Sequence, residues 1–391
     1  MKNTVCFVLA GGRGERLLPL TRSRPKPLLS YAGIYRLIDF PLSNCLNSGL
    51  ERIFVICQYL CYPILDYLNK YWAKRGIIKY ITPQQGFGTG WYMGTADAVY
   101  QSLELIREIN PPRVLILASD HIYRMNYMNF LREHLEKGAE VSIGAVEVPT
   151  KEAYRFGILG TDDMGWVRYF TEKPRYAKMV LESKKTCLAS MGIYIFNTKV
   201  LFEALSWDAQ DPYSKHDFGG DILPWIIRKH RVYAYNFSRK DAYWMDVGTI
   251  NAYYEANMEL VKEKSSFALY DPSWPIYTYQ RQLPPAYTLL SSQNSFISPG
   301  CCIKGEVKSS ILSPSVFIEE GTEVSDSIIL EGVKIGKYCR ISRAIVDERV
   351  KIESGTVIEG APISVVTKEE LEKKAPISIE EVRKKKIAQR A

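Results

Sequence analysis

Histidine is scarce in this 391-residue chain, with only four present, and no two of its eight cysteines form a Cys-x-x-Cys pair. That combination argues against a zinc site. The cysteines fall at positions 6, 45, 57, 61, 187, 301, 302 and 339, several inside apolar runs such as Val5-Cys6-Phe7 and Val55-Ile56-Cys57. A free thiol in such a run packs as a small hydrophobe. The amino terminus lacks the basic, apolar and small-residue zones of a signal peptide, and no apolar run approaches a membrane span. A cytoplasmic protein is expected. Charge of one sign is modest too: the net value is +8, and the basic residues are not gathered into the runs that nucleic-acid grooves favour. The balance suits phosphorylated small molecules, with no nucleic acid and no membrane as partner. Hydrophobic content of 46% with 24% charged residues is ordinary for a globular protein, and the length predicts two domains.

What the sequence has in abundance near its start is glycine. Val5 to Leu9 is an apolar run of the length of a buried parallel strand, and it leads into Leu9-Ala10-Gly11-Gly12-Arg13-Gly14-Glu15-Arg16-Leu17. Without Cβ atoms, Gly11, Gly12 and Gly14 let backbone N–H groups converge on an anion. Arg13, Arg16 and Lys26, the last held in Arg24-Pro25-Lys26-Pro27, add fixed positive charge. The pattern is neither the dinucleotide fingerprint, which has a third spaced glycine, nor a P-loop, which ends in Gly-Lys-Ser/Thr. It predicts a polyphosphate cradle.

From residue 1 to about 260, strand-like runs alternate with helical ones, which predicts an α/β domain with a mostly parallel sheet. Arg52 to Ile56 and Val114 to Ala118 read as buried strands, and Asp97 to Glu108 and Tyr127 to Lys137 as helices. Ligands collect at the carboxyl ends of such strands. Asp120, in Ser119-Asp120-His121, follows one of them and points to a site, with a helix cap as the plainer alternative. Gln84-Gln85 and Gly86 to Gly90 form a second glycine-rich loop, leading through Trp91-Tyr92-Met93-Gly94-Thr95 into a helix. Glu172-Lys173-Pro174 ends a later strand, and Leu188 to Phe196 is a strand with small residues at its start. His216-Asp217-Phe218-Gly219 and Tyr243 to Thr249 are polar-aromatic clusters bounded by glycine, and His216 reads as a loop or core histidine. Asp246, paired with Asp120, could hold one hard divalent cation against phosphate oxygens.

Residues 261–292, with Asp271-Pro272-Ser273-Trp274-Pro275 and Pro284-Pro285, read as an irregular linker rather than a packed element. Residues 293–391 form the second domain. In it, apolar residues recur at a spacing near six with slips: Val307, Ile311, Val316, Ile318, Val324, Ile328, Val333, Ile335, Ile341, Val346, Val350, Ile352 and Val357. Glycines at 305, 321, 332, 336, 355 and 360 mark turns. Such hexapeptide repeats build a parallel β-helix, with a β-sandwich as the alternative. Glu369 to Arg390 reads as a charged helical tail broken by Pro376.

Gly-Gly-x-Gly-x-Arg-Leu followed by x-Pro-Lys-Pro resembles the signature of the sugar-1-phosphate nucleotidyltransferases. Further strings narrow the likeness to the bacterial glucose-1-phosphate adenylyltransferases. They are Arg36 to Cys45, Gly94-Thr95-Ala96-Asp97-Ala98, Asp120-His121-Ile122-Tyr123, Ser190 to Tyr194, Ser214 to Gly219 and Trp244 to Thr249. The resemblance implies a Rossmann-like catalytic domain followed by a left-handed parallel β-helix. It implies adenylyl transfer from ATP to glucose 1-phosphate for glycogen- or starch-type synthesis, with Mg2+ held by Asp120 and Asp246. Gly11, Gly12, Arg13, Gly14, Arg16 and Lys26 would hold the ATP phosphates, with Gln84, Tyr92, Gly94 and Thr95 along the nucleotide. Gly157, Glu172, Lys173, Ser190, Tyr194, Asp217, Phe218 and Trp244 would bind glucose 1-phosphate. Arg16, Lys26 and Asp120 would carry the chemistry. A homotetramer, or a heterotetramer with a paralogous subunit, is implied, with effectors acting between the domains. Ser23, Met93 and Ser119 depart from the residues usual at their positions. A regulatory subunit of the same enzyme, or a transferase using dTTP, UTP or GTP, is the alternative.

Overall fold

The computed structural model describes residues 3–83, 90–174, 185–240, 243–267 and 269–374. Gln84 and most of its glycine-rich loop lie outside these residues, as does the tail beyond residue 374. Strand β1 (Thr4–Ala10) stands inside a nine-stranded sheet and is apolar after Thr4 because both of its faces are covered. On one side it pairs in parallel with β2 (Ile53–Cys57), which carries β3 (Ile78–Ile81) beyond it. On the other side it pairs in parallel with β4 (Arg113–Ala118). A short β5 (His121–Tyr123) follows β4 outside this sheet.

The second half of the sheet mixes directions. β6 (Val141–Pro149), β7 (Gly157–Thr161) and β8 (Val167–Glu172) lie around the long β9 (Thr186–Asn197), which runs antiparallel to β4, β6 and β7. β10 (Val232–Asn236) adds in parallel to β6. β11 (Trp244–Asp246) leaves the sheet and pairs with β5 alone, which brings Asp246 level with His121. Two cores sandwich the sheet. Cys6, Val8 and Ala10 of β1 face one, and Val5 and Phe7 face the other.

The stretch expected as one helix over Asp97 to Glu108 is two, Thr95–Tyr100 and Leu103–Ile109. Ser102 breaks it: its backbone N–H turns to Val99 O at 3.0 Å while its hydroxyl donates back to Ala98 O at 3.2 Å. The expected linker is irregular in path yet packed. Trp274 Nε1 donates to Asn44 Oδ1 at 2.8 Å, Tyr277 N to Ser43 Oγ at 2.8 Å, and Asn47 Nδ2 to Pro275 O at 3.0 Å. All three anchor it to helix α1 (Asp39–Asn47). Its polar sequence is consumed by the hydrogen bonds of a helix that is buried almost whole.

From Tyr287 the chain winds into a parallel β-helix whose strands stack coil on coil. Val307 pairs with Val324 and Val324 with Ile341. Corner serines carry the same step upward: Ser327 N donates to Ser310 Oγ and Ala344 N to Ser327 Oγ, each across 17 residues. Three hexapeptides would give a slightly longer coil, which explains the slips in the apolar spacing. Of the thirteen apolar positions read from sequence, Val307 to Ile352 are buried, but Val357 is 63% exposed. It pairs with Arg340 in an outward row, and Ile358 takes the inward place opposite Ile341. A one-residue slip moves a side chain to the other face. Ile311, Ile328, Leu330 and Ile345 of the β-helix share a core with Leu17, Leu20, Tyr31 and Phe40 of the first domain. Arg24 seals that contact, with Nη2 2.5 Å from Asp347 Oδ1 and Nη1 3.2 Å from Glu348 Oε1.

Asp39 opens α1 with no exposure at all. It accepts from Tyr67 OH at 2.6 Å, Trp72 Nε1 at 3.0 Å and Arg36 N at 2.8 Å. Burial pushes its carboxyl up to about 6 despite these donors. Because the folded value exceeds the unfolded one, the stability contributed by this group is complete below about pH 4 and is lost as pH rises through 6. Asp39→Asn lacks that dependence. The stability of the natural chain relative to the variant is expected to be greater by about 1 kcal/mol at pH 5 than at pH 7.5. Denaturant unfolding at both pH values measures it, and a constant difference would disprove the assignment.

Candidate active site

A cavity of about 700 Å³ opens at the carboxyl ends of β1, β2 and β4. Its floor is the glycine loop. Gly14 alone of the loop's glycines takes a left-handed φ, +64°, and a Cβ there would meet Lys26 Cβ at 3.1 Å. Gly12 instead faces open space, with nothing within 4 Å of a Cβ. The loop therefore turns sharply at one glycine and leaves its backbone bare at another. Arg13 and Arg16 are exposed on it, Arg13 lying 3.8 Å from Glu15.

Lys26 is buried although charged, because two carboxylates receive it. Its Nζ lies 2.7 Å from Asp120 Oδ2 and 3.6 Å from Asp246 Oδ1. Arg155 Nη2 reaches Asp246 Oδ2 at 3.4 Å, and His121 Nε2 lies 3.6 Å from Asp120 and 3.8 Å from Asp246. Burial alone would raise the Asp120 carboxyl, but the Lys26 ammonium and then His121 outweigh it and hold it well below the usual carboxylate range. His121 is itself fixed through Nδ1, 3.1 Å from Met191 O, and by the edge of Trp244 with ring centroids 5.2 Å apart. Ser119 donates to Leu9 O at 2.7 Å and so ties the end of β4 to the glycine loop. Among the described residues no three His, Cys, Asp or Glu side chains gather around one point that could hold a metal. Two converging carboxylates are what the protein offers, and that donor set suits a hard divalent cation completed by phosphate oxygens.

The residues expected along the nucleotide enter from the next loop. Tyr92 lines the cavity while belonging to the core with Phe54 and Ile56. Gln58, just past β2, clamps it: Tyr92 N donates to Gln58 Oε1 at 2.5 Å, and Gln58 Nε2 donates to Tyr92 O at 3.1 Å. Met93 is 71% exposed, and its N–H donates to Asp97 Oδ2 at 2.9 Å. A Cβ on Gly94 would lie 2.2 Å from His216 O, so only glycine lets the two loops meet. Thr95 joins them: its hydroxyl donates to Asp217 Oδ2 at 2.8 Å and accepts from Phe218 N at 3.0 Å.

Glu172, Tyr194, Asp217 and Phe218 line the far wall. Phe218 also packs on Tyr194 and Phe196, with centroids 5.8 and 5.7 Å away. Burial raises the Tyr194 phenol well above its ordinary value. Ser190 begins the β-bulge that ends at Ile193, its Oγ 3.4 Å from Tyr194 OH. Gly157 supports Glu172 from below, since a Cβ there would press on its carboxylate at 2.7 Å. Lys173, at φ 43°, turns its ammonium to Glu172 Oε1 at 2.6 Å. Trp244 stacks edge-on with Phe156 and keeps a buried indole N–H without a partner among the described residues. Gly157, Lys173, Ser190, Trp244 and Asp246 thus adjoin the cavity wall rather than line it. His216 is a loop histidine bound to Asp208 at 2.7 Å, as its sequence suggested.

Gln58, Arg155 and His121 were not singled out as site residues from sequence. Gln58 could have been, because it follows the carboxyl end of a buried strand, as Asp120 does. Arg155 sits in a polar 3-10 turn that carries no signal.

A nucleotidyl transferase family model matches residues 5–263, and a GlmU-like C-terminal hexapeptide model matches residues 288–362. The glucose-1-phosphate adenylyltransferase of Koribacter versatilis is 43% identical over 378 residues, covering 92% of this chain and 90% of the relative. That of Methylococcus capsulatus is 44% identical over 374 residues, covering 91% and 88%. That of Nitrosococcus oceani is 43% identical over 375 residues, covering 91% and 89%. The chain belongs to the glucose-1-phosphate adenylyltransferase family. Its two parts are the Rossmann-like nucleotidyltransferase fold and the left-handed parallel β-helix of the hexapeptide type.

The link at Thr95 generates a test of how the two walls are joined. Thr95→Val keeps the shape and removes both hydrogen bonds, leaving Phe218 N–H and one Asp217 oxygen unpaired. A loss of about 1–2 kcal/mol in unfolding free energy is expected, together with faster amide exchange over residues 216–220. Unchanged exchange there would show that the link does not hold the wall.

Proposed function

We propose that this enzyme joins ATP and glucose 1-phosphate to give ADP-glucose and pyrophosphate, feeding glycogen- or starch-type synthesis, through the roles given next to its residues. The observation that carries the reading is Lys26 between Asp120 and Asp246, at the floor of a cavity edged by a bare glycine loop. The glycine loop, Arg13, Arg16 and Lys26 hold the triphosphate. Gln58, Tyr92, Gly94 and Thr95 frame the nucleoside side. Glu172, Lys173, Ser190, Tyr194, Asp217, Phe218 and Trp244 take glucose 1-phosphate, and Gly157 leaves room for Glu172 to do so. Trp244's free indole N–H is a donor for a sugar or phosphate oxygen. Asp120 and Asp246 hold Mg2+, which when bound shields phosphate charge and fixes the geometry of the triphosphate.

A phosphate oxygen of glucose 1-phosphate forms a bond to the α-phosphorus of ATP. The bond from that phosphorus to the bridging oxygen breaks, and pyrophosphate leaves with the electron pair. The nucleophile is already anionic at neutral pH, so no general base is required. The barrier is the approach of two anions, which Lys26, Arg16 and Lys173 lower by charge and alignment. Lys173 does this by exchanging Glu172 for the sugar phosphate.

Assaying the purified chain with each nucleoside triphosphate in turn tests the reading. ATP should be used, and a preference for UTP or dTTP, or binding of both substrates without turnover, would overturn it. In the same assay Asp120→Asn should lower kcat by about two orders of magnitude or more with little change in substrate affinity. Lys173→Gln should instead raise KM for glucose 1-phosphate about ten-fold or more and leave that for ATP nearly unchanged. Equal effects on both substrates would remove Lys173 from the sugar phosphate.

The assembly is a tetramer, homomeric or mixed with a paralogue. The β-helix supports this by exposing Tyr287, Leu289, Leu290 and Tyr338, large apolar side chains that a lone chain would leave wet. Sedimentation of the purified chain should give the mass of four copies, and an active monomer would disprove it.

A further inference from the structure

Two pairs of thiols lie within reach of each other in the described residues, and they differ. Cys6 and Cys45 are both fully buried with sulfurs 3.7 Å apart, an ordinary packing contact. Cys57 and Cys61 bring their sulfurs to 2.8 Å, and Cys61 is partly exposed at the surface. The turn between them is tight, with Leu60 at φ 45°. Neither thiol has a part in the adenylyl transfer described above.

We propose that Cys57 and Cys61 are a covalent modification site: a dithiol that closes to an intramolecular disulfide by exchange with a low-molecular-weight disulfide, and so weakens nucleotide binding. The second half of this rests on the nucleotide reading of the cavity. Cys61, the exposed thiol, attacks as thiolate on one sulfur of the small disulfide. That S–S bond breaks, and one thiolate leaves and takes up a proton. Cys57 then loses its proton and attacks the Cys61 sulfur of the mixed disulfide, forming the Cys57–Cys61 bond and releasing the second small thiol. One disulfide is reduced to two thiols, and one protein dithiol is oxidised. Burial pushes the Cys57 thiol well up, which makes Cys61 the first to react.

The route to the cavity is one residue long. Cys57 ends β2, and Gln58 next to it holds both backbone groups of Tyr92 at 2.5 and 3.1 Å. Ile56, Gln58 and Tyr92 all line the cavity. Closing 2.8 Å to a bond of about 2.0 Å draws Cys57 toward Cys61 and carries Gln58 with it. Two hydrogen bonds on one amide side chain, one of them at 2.5 Å, tolerate little such movement.

The test uses the full chain incubated with glutathione disulfide, alkylated and digested for peptide mass mapping, with ATP affinity measured by calorimetry on the same samples. The expected result is loss of two hydrogens from the peptide spanning Cys57 and Cys61. ATP Kd should rise several-fold and recover with dithiothreitol, and Cys61→Ser should not respond. No disulfide at this pair, a disulfide only at Cys6 and Cys45, or a Cys57–Cys61 disulfide with unchanged Kd would overturn the proposal. The mass map is read without nucleotide. A reduced chain that fails to bind ATP would therefore count against the nucleotide reading, while the map still decides the dithiol.

Discussion

The rest of the structure depends on one buried ammonium. Lys26 lies 2.7 Å from Asp120 and 3.6 Å from Asp246; Asp120 lies between β4 and β5, Asp246 ends β11, and the pairing of β11 with β5 brings the two carboxylates together. Removing Lys26 would take from the two carboxylates the cation they share, and breaking such a buried pair costs about 3–5 kcal/mol. The fold is arranged so that this does not happen. Arg155 and His121 stand behind Asp246 and Asp120, and Ser119 pins the strand end to the glycine loop. The ion cluster is thus a meeting point for four separate segments of chain. In the proposed reaction this is where Lys26 exchanges a carboxylate for a phosphate oxygen.

Around that point the walls are joined by small residues used for close approach rather than by bulk. Gly94 lets the nucleotide loop touch the backbone of His216, and Thr95 then bonds to Asp217 and Phe218. Gly157 and Gly219 both lie against the Glu172 carboxylate, at 2.7 and 2.6 Å from where a Cβ would be. These contacts place the charged groups by steric exclusion. A side chain at any of these glycines would displace an acid or a backbone, so geometry and electrostatics are set by the same positions.

Much of this was legible in the sequence, and the reasons for success and failure are physical. Strand β1, the glycine loop and the carboxylate after β4 could be read because each is a local pattern: an apolar run, a loss of Cβ atoms, a charge at a strand end. The β-helix could be read because its rows repeat, and Val357 was misread because it is apolar yet falls in the outward row of Glu323 and Arg340, one residue before the inward Ile358. The split at Ser102 was hidden because apolar spacing does not register a back-bonding hydroxyl. The packing of residues 271–278 on α1 was hidden for a related reason: Pro and Asp signal irregular backbone, not whether that backbone is held. Gln58 follows the end of a buried strand and was legible by that rule, whereas Arg155 reaches Asp246 from a polar turn with no local signal.

Two charged residues, two apart in sequence, join the β-helix to this chemistry. Arg24 binds Asp347 and Glu348 of the β-helix, and Lys26 binds Asp120 and Asp246 of the site. Pro25 lies between them and Pro27 follows, fixing φ on both sides of Lys26. A segment so restricted cannot absorb a shift by rotating its own backbone. Displacement of Arg24 against the β-helix must therefore move Lys26 or break one of its ion pairs. The β-helix has no acid, base or metal cluster of its own in this site, yet it holds one end of the segment that positions the central cation. Its mechanical role follows from that attachment: the central cation is as well placed as the domain contact is firm.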